Sequence, residues 1–128
     1  MTGVGTALRQ ENKDIQLYAV EDKDSKFLSG EMAKPSVATG FNPGLLPLNL
    51  DTTLYDSIVA IDLAKAKETS RLLAINEGLL VGPAGGAAVA AAIAVAKTLG
   101  QNKKVVVVIP DDGRRFVAEG AFDFNTIN

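Results

Sequence analysis

The chain alternates short apolar runs with longer segments in which apolar residues recur at helical spacing. The clearest run is Lys104–Ile109, whose unbroken β-branched series predicts a strand buried on both faces, as in a parallel sheet. The strands predicted from such runs are Ile15–Glu21, Ser57–Ile61, Leu79–Val81 and Lys104–Ile109. The predicted helices are Thr6–Asn12, Leu63–Asn76 with Asp62 as N-cap and Gly78 as its end, and the residues after Gly86 to about Leu99. This alternation predicts βαβ units and an α/β fold with a parallel sheet.

Leu79–Gly100 carries the most informative pattern, because a short apolar run leads through the glycine-rich turn Gly82–Gly86 into an alanine-rich helix. Such a turn lets the backbone approach a ligand closely, and the unpaired N–H groups of a helix N-terminus favour an anion. The turn lacks the GxGxxG spacing of dinucleotide-binding proteins, so an anion or heterocycle site and a tight packing turn both stay open. A transmembrane helix is disfavoured, because Gly-Pro-Ala-Gly-Gly interrupts the apolar stretch early.

Composition narrows the possible chemistry. With 128 residues, 47% of them hydrophobic and 22% charged, the chain has the size and balance of one soluble globular domain. A net charge of -2, 5% aromatic residues and no basic run predict no nucleic-acid partner. The lack of cysteine and histidine excludes thiol and Ser-His-Asp catalysis and predicts no metal site. Without cysteine or a signal-peptide pattern, the chain is expected to be cytoplasmic, with no membrane partner.

Three groups of residues should meet at the ligand-binding edge of such a sheet. Ligands of parallel sheets bind outside the carboxyl ends of the strands. Here that edge would carry Asp62, the Gly82–Gly86 turn and Pro110–Gly113. Asp111 and Asp112 look like a carboxylate pair, but adjacent residues often point apart. We therefore expect them to make turn hydrogen bonds rather than to act in catalysis.

Two further candidates carry weaker signals. Thr2–Gly5 has the glycine content to open a helix at a phosphate site, although it is only four residues long. The remaining candidates are lysines whose sequence contexts are typical of solvated surface charges rather than buried amines: Lys65, Lys67, Lys97, Lys103 and Lys104. Neither group predicts a site by itself.

Five segments together resemble one known family. They are Thr2–Asn12, IQLYAVE ending at Glu21, GFNPGLLPLNLD at Gly40–Asp51, ETSRLLAINEGLLVGPAGGAAVAAAI at Glu68–Ile93 and VVVVIPDDGRRF at Val105–Phe116. In order and spacing, from Thr2 to about residue 120, the chain resembles the C-terminal part of the cysteine synthase family. These pyridoxal-phosphate (PLP) enzymes include O-acetylserine sulfhydrylase and cystathionine β-synthase. The resemblance implies a three-layer, Rossmann-like α/β fold, the large domain of fold-type II PLP enzymes, with residues 1–128 as one N-terminally truncated portion.

The resemblance also implies a chemistry. Family members form a Schiff base between PLP and a lysine, eliminate the β-substituent of an activated serine, and add sulfide to the aminoacrylate that remains. PLP supplies the electron sink, and the protein orients the reactants and provides a partner for the ring nitrogen. For this chain, that implies a part of an enzyme that converts O-acetylserine and sulfide to cysteine and acetate.

The chain departs from the family pattern at the residues that catalysis needs. The family's Schiff-base lysine and phosphate loop lie upstream of Met1, so no catalytic residue is carried over. The serine that bonds the ring nitrogen falls at Ala84, the next serine falls at Gly85, and Asp112 replaces a third serine. The resemblance places the cofactor-facing positions at Gly82, Ala84, Gly85, Pro110 and Asp111, and a substrate position at Gly40.

These departures predict that the chain alone is inactive and binds no PLP. A truncated sheet should expose apolar surface that pairs with another chain, either in a homo-oligomer or with a complementary N-terminal half. An amino-acid substrate is expected only for the completed enzyme. Two alternatives stay open: a non-catalytic scaffold or interaction domain, and a free-standing module that binds a phosphate ligand at Gly82–Gly86.

Overall fold

Two parallel strands and three α-helices form the regular structure of the parts that the computed structural model describes, residues 1–30 and 47–122. In chain order they are α1 (Thr2–Glu11), β1 (Tyr18–Asp22), β2 (Ser57–Ile61), α2 (Leu63–Glu77) and α3 (Pro83–Leu99), followed by the 3-10 turn Gly113–Phe116. The two strands run parallel, from Tyr18 opposite Ser57 to Asp22 opposite Ile61. The predicted α/β class with a parallel sheet is therefore confirmed.

The first helix and strand differ from their predicted limits. α1 begins four residues earlier than predicted and ends at Glu11, with Asn12 as its C-cap; the Asn12 side-chain oxygen accepts the Asp14 N–H at 2.9 Å. This turn competes with a further helical turn. β1 begins at Tyr18 because the residue before it, Leu17, bonds Asp56 instead: its N–H donates to the Asp56 carboxylate at 2.7 Å, and its carbonyl accepts the Asp56 N–H at 2.8 Å.

The limits of α2 follow its local sequence signals. The Asp62 carboxylate accepts the Lys65 N–H at 2.7 Å, as an N-cap should, and Gly78 ends the helix in the left-handed conformation at φ 68°. Both predicted residues are confirmed. The next helix, α3, begins at Pro83 rather than after Gly86. Proline suits the first helical position, because its fixed φ is helical and no partner is needed there for an N–H.

The strand predicted at Lys104–Ile109 is wrong. This segment has no strand assignment, and Val106 and Val108 are 89% and 68% exposed. A strand needs a neighbour for its backbone groups, and among residues 1–30 and 47–122 this segment has none. The prediction for Leu79–Val81 is also wrong, because only Val81 pairs, in one bridge to Asp112.

The core consists largely of small side chains packed where α2 meets α3. The buried apolar residues are Ala19, Ala66, Val81, Ala84, Ala87, Ala90, Ala91, Val95, Phe116 and Ala121. Many larger apolar side chains, among them Leu79 and Leu80, lie at the surface instead. This confirms the expected exposed apolar surface. As for the membrane alternative, no helix within the described ranges has both the length and the apolarity to cross a bilayer.

Candidate functional site

The Gly82–Gly86 turn forms the N-cap and first turn of α3, and its free N–H groups meet a carboxylate of the same chain. Asp111 accepts the Ala84 N–H at 2.9 Å with one oxygen and the Gly85 N–H at 2.6 Å with the other. A helix N-terminus carries partial positive charge, which a carboxylate complements. Asp111 therefore occupies the position that an external anion would take.

The glycines of this turn make room for Asp111 and its neighbours. A Cβ at Gly82 would lie 2.1 Å from an Asp111 carboxylate oxygen and 2.6 Å from the Phe116 ring. A Cβ at Gly85 would lie 2.8 Å from the Ile109 side chain and 3.0 Å from the other Asp111 oxygen. The close approach that glycine permits is thus used for internal contacts. Of the two interpretations of the turn, this geometry favours tight packing.

Ser70 joins α2 to the start of α3. Its hydroxyl lies 2.9 Å from the Gly82 carbonyl oxygen and 3.1 Å from the Ala66 carbonyl oxygen, and the residue is fully buried. A Cβ at Gly86 would lie 2.1 Å from that Ala66 oxygen and 2.3 Å from the Ser70 hydroxyl. Sequence reasoning missed Ser70. The available signal was the pair of small residues Ala66 and Ser70, which share a helix face at i and i+4.

Asp112 points away from Asp111 and makes a local turn. It accepts the Arg114 backbone N–H at 2.9 Å and two guanidinium N–H groups at 2.9 and 2.6 Å. The hydrogen bond from the guanidinium, followed by that from the backbone N–H, lowers the pKa of Asp112 below its usual value. The turn hydrogen bond expected of both residues is thus found at Asp112, whereas Asp111 caps α3 at a distance of 26 and 27 residues, which corrects the expectation for Asp111.

The predicted cofactor-facing positions are only partly brought together. Gly82, Ala84, Gly85 and Asp111 form one cluster through the contacts above, whereas Pro110 follows Ile109 on the surface. Ala84 is 7% exposed and presents a methyl group, so its side chain offers no hydrogen bond. Gly40, the predicted substrate position, lies outside the described residues.

Two clefts of the described residues lie away from this cluster. One, of about 480 Å³, runs between α2 and α3 past Leu72, Ile93 and Lys97. The other, of about 410 Å³, lies at the start of α1 beside Thr2, Gly3 and Leu50. There the Thr2 hydroxyl accepts the Asp51 N–H at 3.0 Å. Thr2–Gly5 does begin a helix, as its sequence indicated, but the Thr2 hydroxyl is already hydrogen-bonded to a residue of this chain, Asp51.

No metal centre is assembled in the described ranges. Within them, no three histidine, cysteine, aspartate or glutamate side chains come together in a way that could hold a metal ion. Glu21, which is almost fully buried, instead accepts the Leu28 N–H at 2.8 Å and the Ser29 N–H at 3.3 Å, and it bonds the Ser29 hydroxyl. Its carboxylate organises the chain that leaves β1.

Comparison with known proteins identifies relatives of the chain. A family model described as pyridoxal-phosphate dependent enzyme matches residues 1–111. A cysteine synthase of Staphylococcus aureus (strain Mu50 / ATCC 700699) is 39% identical over 98% of this chain and 40% of its own length. A probable cysteine synthase of Bacillus subtilis (strain 168) is 40% identical over 97% and 40%. The chain therefore spans about 40% of the length of these curated relatives.

Solved structures share the fold over nearly the whole chain. The crystal structure of a cysteine synthase from Entamoeba histolytica superposes with a TM-score of 0.90 at 25% identity, over 98% of this chain and 37% of that one. That of O-ureido-L-serine synthase superposes with a TM-score of 0.89 at 29% identity, over 98% and 39%. These are fold-type II enzymes, so the predicted fold class is confirmed.

Proposed function

Because the chain belongs to the pyridoxal-phosphate dependent enzyme family, we propose that it forms the C-terminal portion of a cysteine synthase-like enzyme. The proposed reaction replaces the acetate of O-acetylserine with sulfide, which yields cysteine and acetate. The observation that carries this proposal is the 39% identity to a cysteine synthase over 98% of the chain. An O-ureido-L-serine synthase of Streptomyces lavendulae is less similar, at 32% identity, so the proposal names cysteine rather than O-ureido-L-serine as the product. A cytoplasmic location belongs to the same proposal.

We infer that this chain alone does not turn over. It spans about 40% of its curated relatives, and the resemblance places the Schiff-base lysine and the phosphate loop in the remainder. The nearest neighbours that a Cβ at the glycines of the turn would meet are residues other than lysine: Val81, Ile109, Asp111, Phe116, Ala66 and Ser70. Lys65, in contrast, pairs with Glu68 at 2.9 Å on the exposed surface of α2.

The residues of the turn do not fit PLP by themselves. The ring nitrogen of PLP needs a polar partner, and the position implied for it, Ala84, carries a methyl group. The N–H groups of Ala84 and Gly85 already donate to Asp111. We therefore propose that the chain alone binds no PLP, and that any completed enzyme holds the cofactor mainly through residues outside this chain.

One observation favours a second candidate, a non-catalytic scaffold or interaction domain. Ala84 and Gly85 stand where the family has two serines, and Asp111 satisfies the backbone donors that those positions offer. A domain without catalysis could lose the two hydroxyl groups at no functional cost. In either case the proposed partner is a polypeptide, a second copy or a complementary N-terminal half.

Reconstitution separates the two candidates. The chain is incubated with PLP, O-acetylserine and sulfide, alone and after co-expression with the portion of the Staphylococcus aureus cysteine synthase that it does not match. Cysteine formation and the visible absorbance of PLP are recorded. Activity in the complex only is the expected result. Turnover by the chain alone would contradict inactivity, and a stable complex without cysteine formation would support the scaffold.

Variants at the start of α3 refine this test. In the reconstituted complex, Ala84→Ser restores a hydroxyl at nearly unchanged volume, and tighter PLP binding is expected if residue 84 faces the ring. Ala88→Ser makes the same change one turn further along α3, where the side chain is half-buried, and should leave PLP binding unchanged. Equal effects of the two variants would contradict the placement of residue 84 beside the cofactor.

A further inference from the structure

The backbone N–H groups in the first turn of α3 are all used within this chain. Pro83 has no N–H to donate, and the Gly86 N–H makes the first intrahelical hydrogen bond at 2.9 Å. The two that remain, those of Ala84 and Gly85, donate to the Asp111 carboxylate at 2.9 and 2.6 Å. The first turn of a helix normally leaves such donors to a side chain, to water or to a ligand. Here one side chain takes both, so residues 83–86, all of them described, keep no free backbone donor.

Asp111 is held beside this turn by its backbone as well as by its side chain. Its carbonyl accepts the Gly82 N–H at 3.3 Å, and two residues further on the Gly113 N–H donates to the Leu80 carbonyl at 3.0 Å. The carboxylate is therefore brought to the turn already oriented. It binds without the loss of translational freedom that a separate anion incurs, and it competes with such an anion at a high effective concentration.

The surroundings of the turn leave little room for a second anion beside this carboxylate. A Cβ added at Gly82 would lie 2.1 Å from one Asp111 oxygen and 2.6 Å from the Phe116 ring. A Cβ added at Gly85 would lie 3.0 Å from the other oxygen and 3.1 Å from the Val81 side chain. Phe116 and Val81 are each only 5% exposed. A free anion would therefore reach the two N–H groups only by displacing Asp111.

The partner of the Asp111 carboxylate is a helix start rather than a basic side chain. Arg114, three residues away, pairs with Asp112 at 2.6 Å instead. The N–H groups that Asp111 binds carry the partial positive charge of a helix N-terminus, which is the feature that attracts anions to such positions. A phosphate ion at the same N–H groups would meet the Asp111 carboxylate at contact distance, where like charges repel strongly.

We propose that Asp111 is the specificity-determining residue of this turn: its carboxylate takes the place of a bound anion and excludes phosphate and carboxylate ligands from the start of α3. This speaks against the alternative in which Gly82–Gly86 serves a free-standing module that binds a phosphate ligand. It is also independent of the sulfide reaction, because every contact that supports it lies within this chain.

The experiment is a titration of the full chain with inorganic phosphate at constant ionic strength, with chloride as the reference anion. The amide NMR signals of Ala84 and Gly85 report on the two N–H groups, and the thermal unfolding midpoint reports on binding to the folded chain. Because phosphate also stabilises proteins without binding them, each variant is compared with the parent under the same conditions. In the parent, neither amide signal should shift in a saturable way. Saturable binding of phosphate at these amides in the parent would overturn the proposal.

Two variants of Asp111 should open the turn to phosphate. In Asp111→Ala both N–H groups are freed, so phosphate should bind at least about tenfold more tightly than to the parent, shift both amide signals and raise the unfolding midpoint further than in the parent. Asp111→Asn keeps the size and one acceptor oxygen, so it should fold even if the alanine variant does not, and it should free one N–H group. If the variants that fold bind phosphate no better than the parent, Asp111 does not exclude the anion and the proposal is overturned.

Asp112→Ala is the control for the loss of charge, because it removes a carboxylate from the neighbouring residue. Asp112 caps the 3-10 turn, where it accepts the Arg114 N–H at 2.9 Å. Phosphate should therefore leave the amides of Ala84 and Gly85 unchanged in this variant. An equal response in the two alanine variants would mean that the loss of either negative charge is enough, which would overturn the specific role of Asp111. A reconstituted complex that forms no cysteine would contradict the sulfide reaction and leave this inference intact.

Discussion

The start of α3 and residues 104–109, called the valine segment, are both apolar, and they lie side by side, yet their surroundings differ. At the start of α3, the Ala84 and Gly85 N–H groups have Asp111 as their acceptor, and Gly82 has Ser70 and Phe116 as close neighbours. In the valine segment, the side chains of Val106 and Val108 face water. Residues of this chain supply the hydrogen-bond partners and close contacts of the first region, whereas no described residue shelters Val106 and Val108 in the second.

This contrast separates a region that a few side chains can complete from a region that needs whole strands as neighbours. A helix start needs a cap, a proline or glycine and a tight neighbour, all of which a short chain can supply. A buried strand needs whole strands beside it, and in the described residues the sheet consists of β1 and β2 alone. Substitutions that add volume, remove a helix cap or remove apolar atoms should therefore change the free energy of unfolding very differently in the two regions.

The largest expected effect comes from enlarging the contact between α2 and α3. Gly86→Ala would place a Cβ 2.1 Å from the Ala66 carbonyl oxygen and 2.3 Å from the Ser70 hydroxyl, so the two helices must separate. We expect a loss of about 3 kcal/mol in the free energy of unfolding, measured by urea denaturation. A loss below about 1 kcal/mol would show that the helix contact is looser than described.

Gly3→Ala is the control for this substitution. Gly3 also lies within a helix, and a Cβ there meets nothing within 4 Å. Because alanine is the better helix former, this variant should gain about 0.5 to 1 kcal/mol. Opposite signs at the two glycines would show that space, and not helix propensity, decides the result.

The second largest effect should come from removing the cap of α3. Asp111→Ala leaves the Ala84 and Gly85 N–H groups without their acceptor and removes a negative charge from a helix N-terminus. A loss of about 2 kcal/mol is expected from thermal unfolding monitored by circular dichroism. Asp112→Ala is the matched control, with a smaller loss, because among the described residues the Asp112 carboxylate accepts hydrogen bonds from Arg114 alone, on the exposed surface. Equal losses would contradict the capping role of Asp111.

The residues that were predicted correctly have local signals, and those that were missed do not. Asp62 and Gly78 could be placed because caps and left-handed glycines act within one helical turn. The link between Asp111 and Gly85 spans 26 residues, and that between Ser70 and Gly82 spans 12, so neither has a local pattern. The valine segment was assigned correctly as apolar and wrongly as paired, because a pattern reports what a strand needs and not whether its neighbours are present.

The third prediction compares two valines. Val95 is 8% exposed on α3, whereas Val106 lies in the open valine segment. Val95→Ala should lower the free energy of unfolding by about 1 kcal/mol, since about 1.6 kcal/mol for two buried methyl equivalents is partly offset by the helix propensity of alanine. Val106→Ala should change it by less than about 0.5 kcal/mol. If Val106→Ala costs as much as Val95→Ala in urea denaturation, the valine segment is covered in the free chain.

The smallest effect is electrostatic and extends the same distinction to ion pairs. Asp56 receives a two-oxygen contact from the Arg9 guanidinium at 2.6 and 2.7 Å, across 47 residues, while Asp112 pairs with Arg114 only two residues away. The Arg9 hydrogen bond, followed by the Leu17 N–H, lowers the pKa of Asp56 below its ordinary value of 3.8. A lowered folded-state pKa means that the unfolded chain binds more protons, so stability rises with pH.

This contribution is therefore present above about pH 4 and is lost as the pH falls through the lowered folded-state pKa of Asp56. Asp56→Asn should flatten the acid limb of stability measured against pH, since one group that takes up a proton on unfolding is gone. Asp112→Asn should flatten it less, although the pKa of Asp112 is also lowered, because a pair two residues apart can form in the unfolded chain as well. Equal flattening in the two variants would contradict this reasoning. It would mean that folding lowers the pKa of Asp56 through Arg9 no more than it lowers the pKa of Asp112 through Arg114.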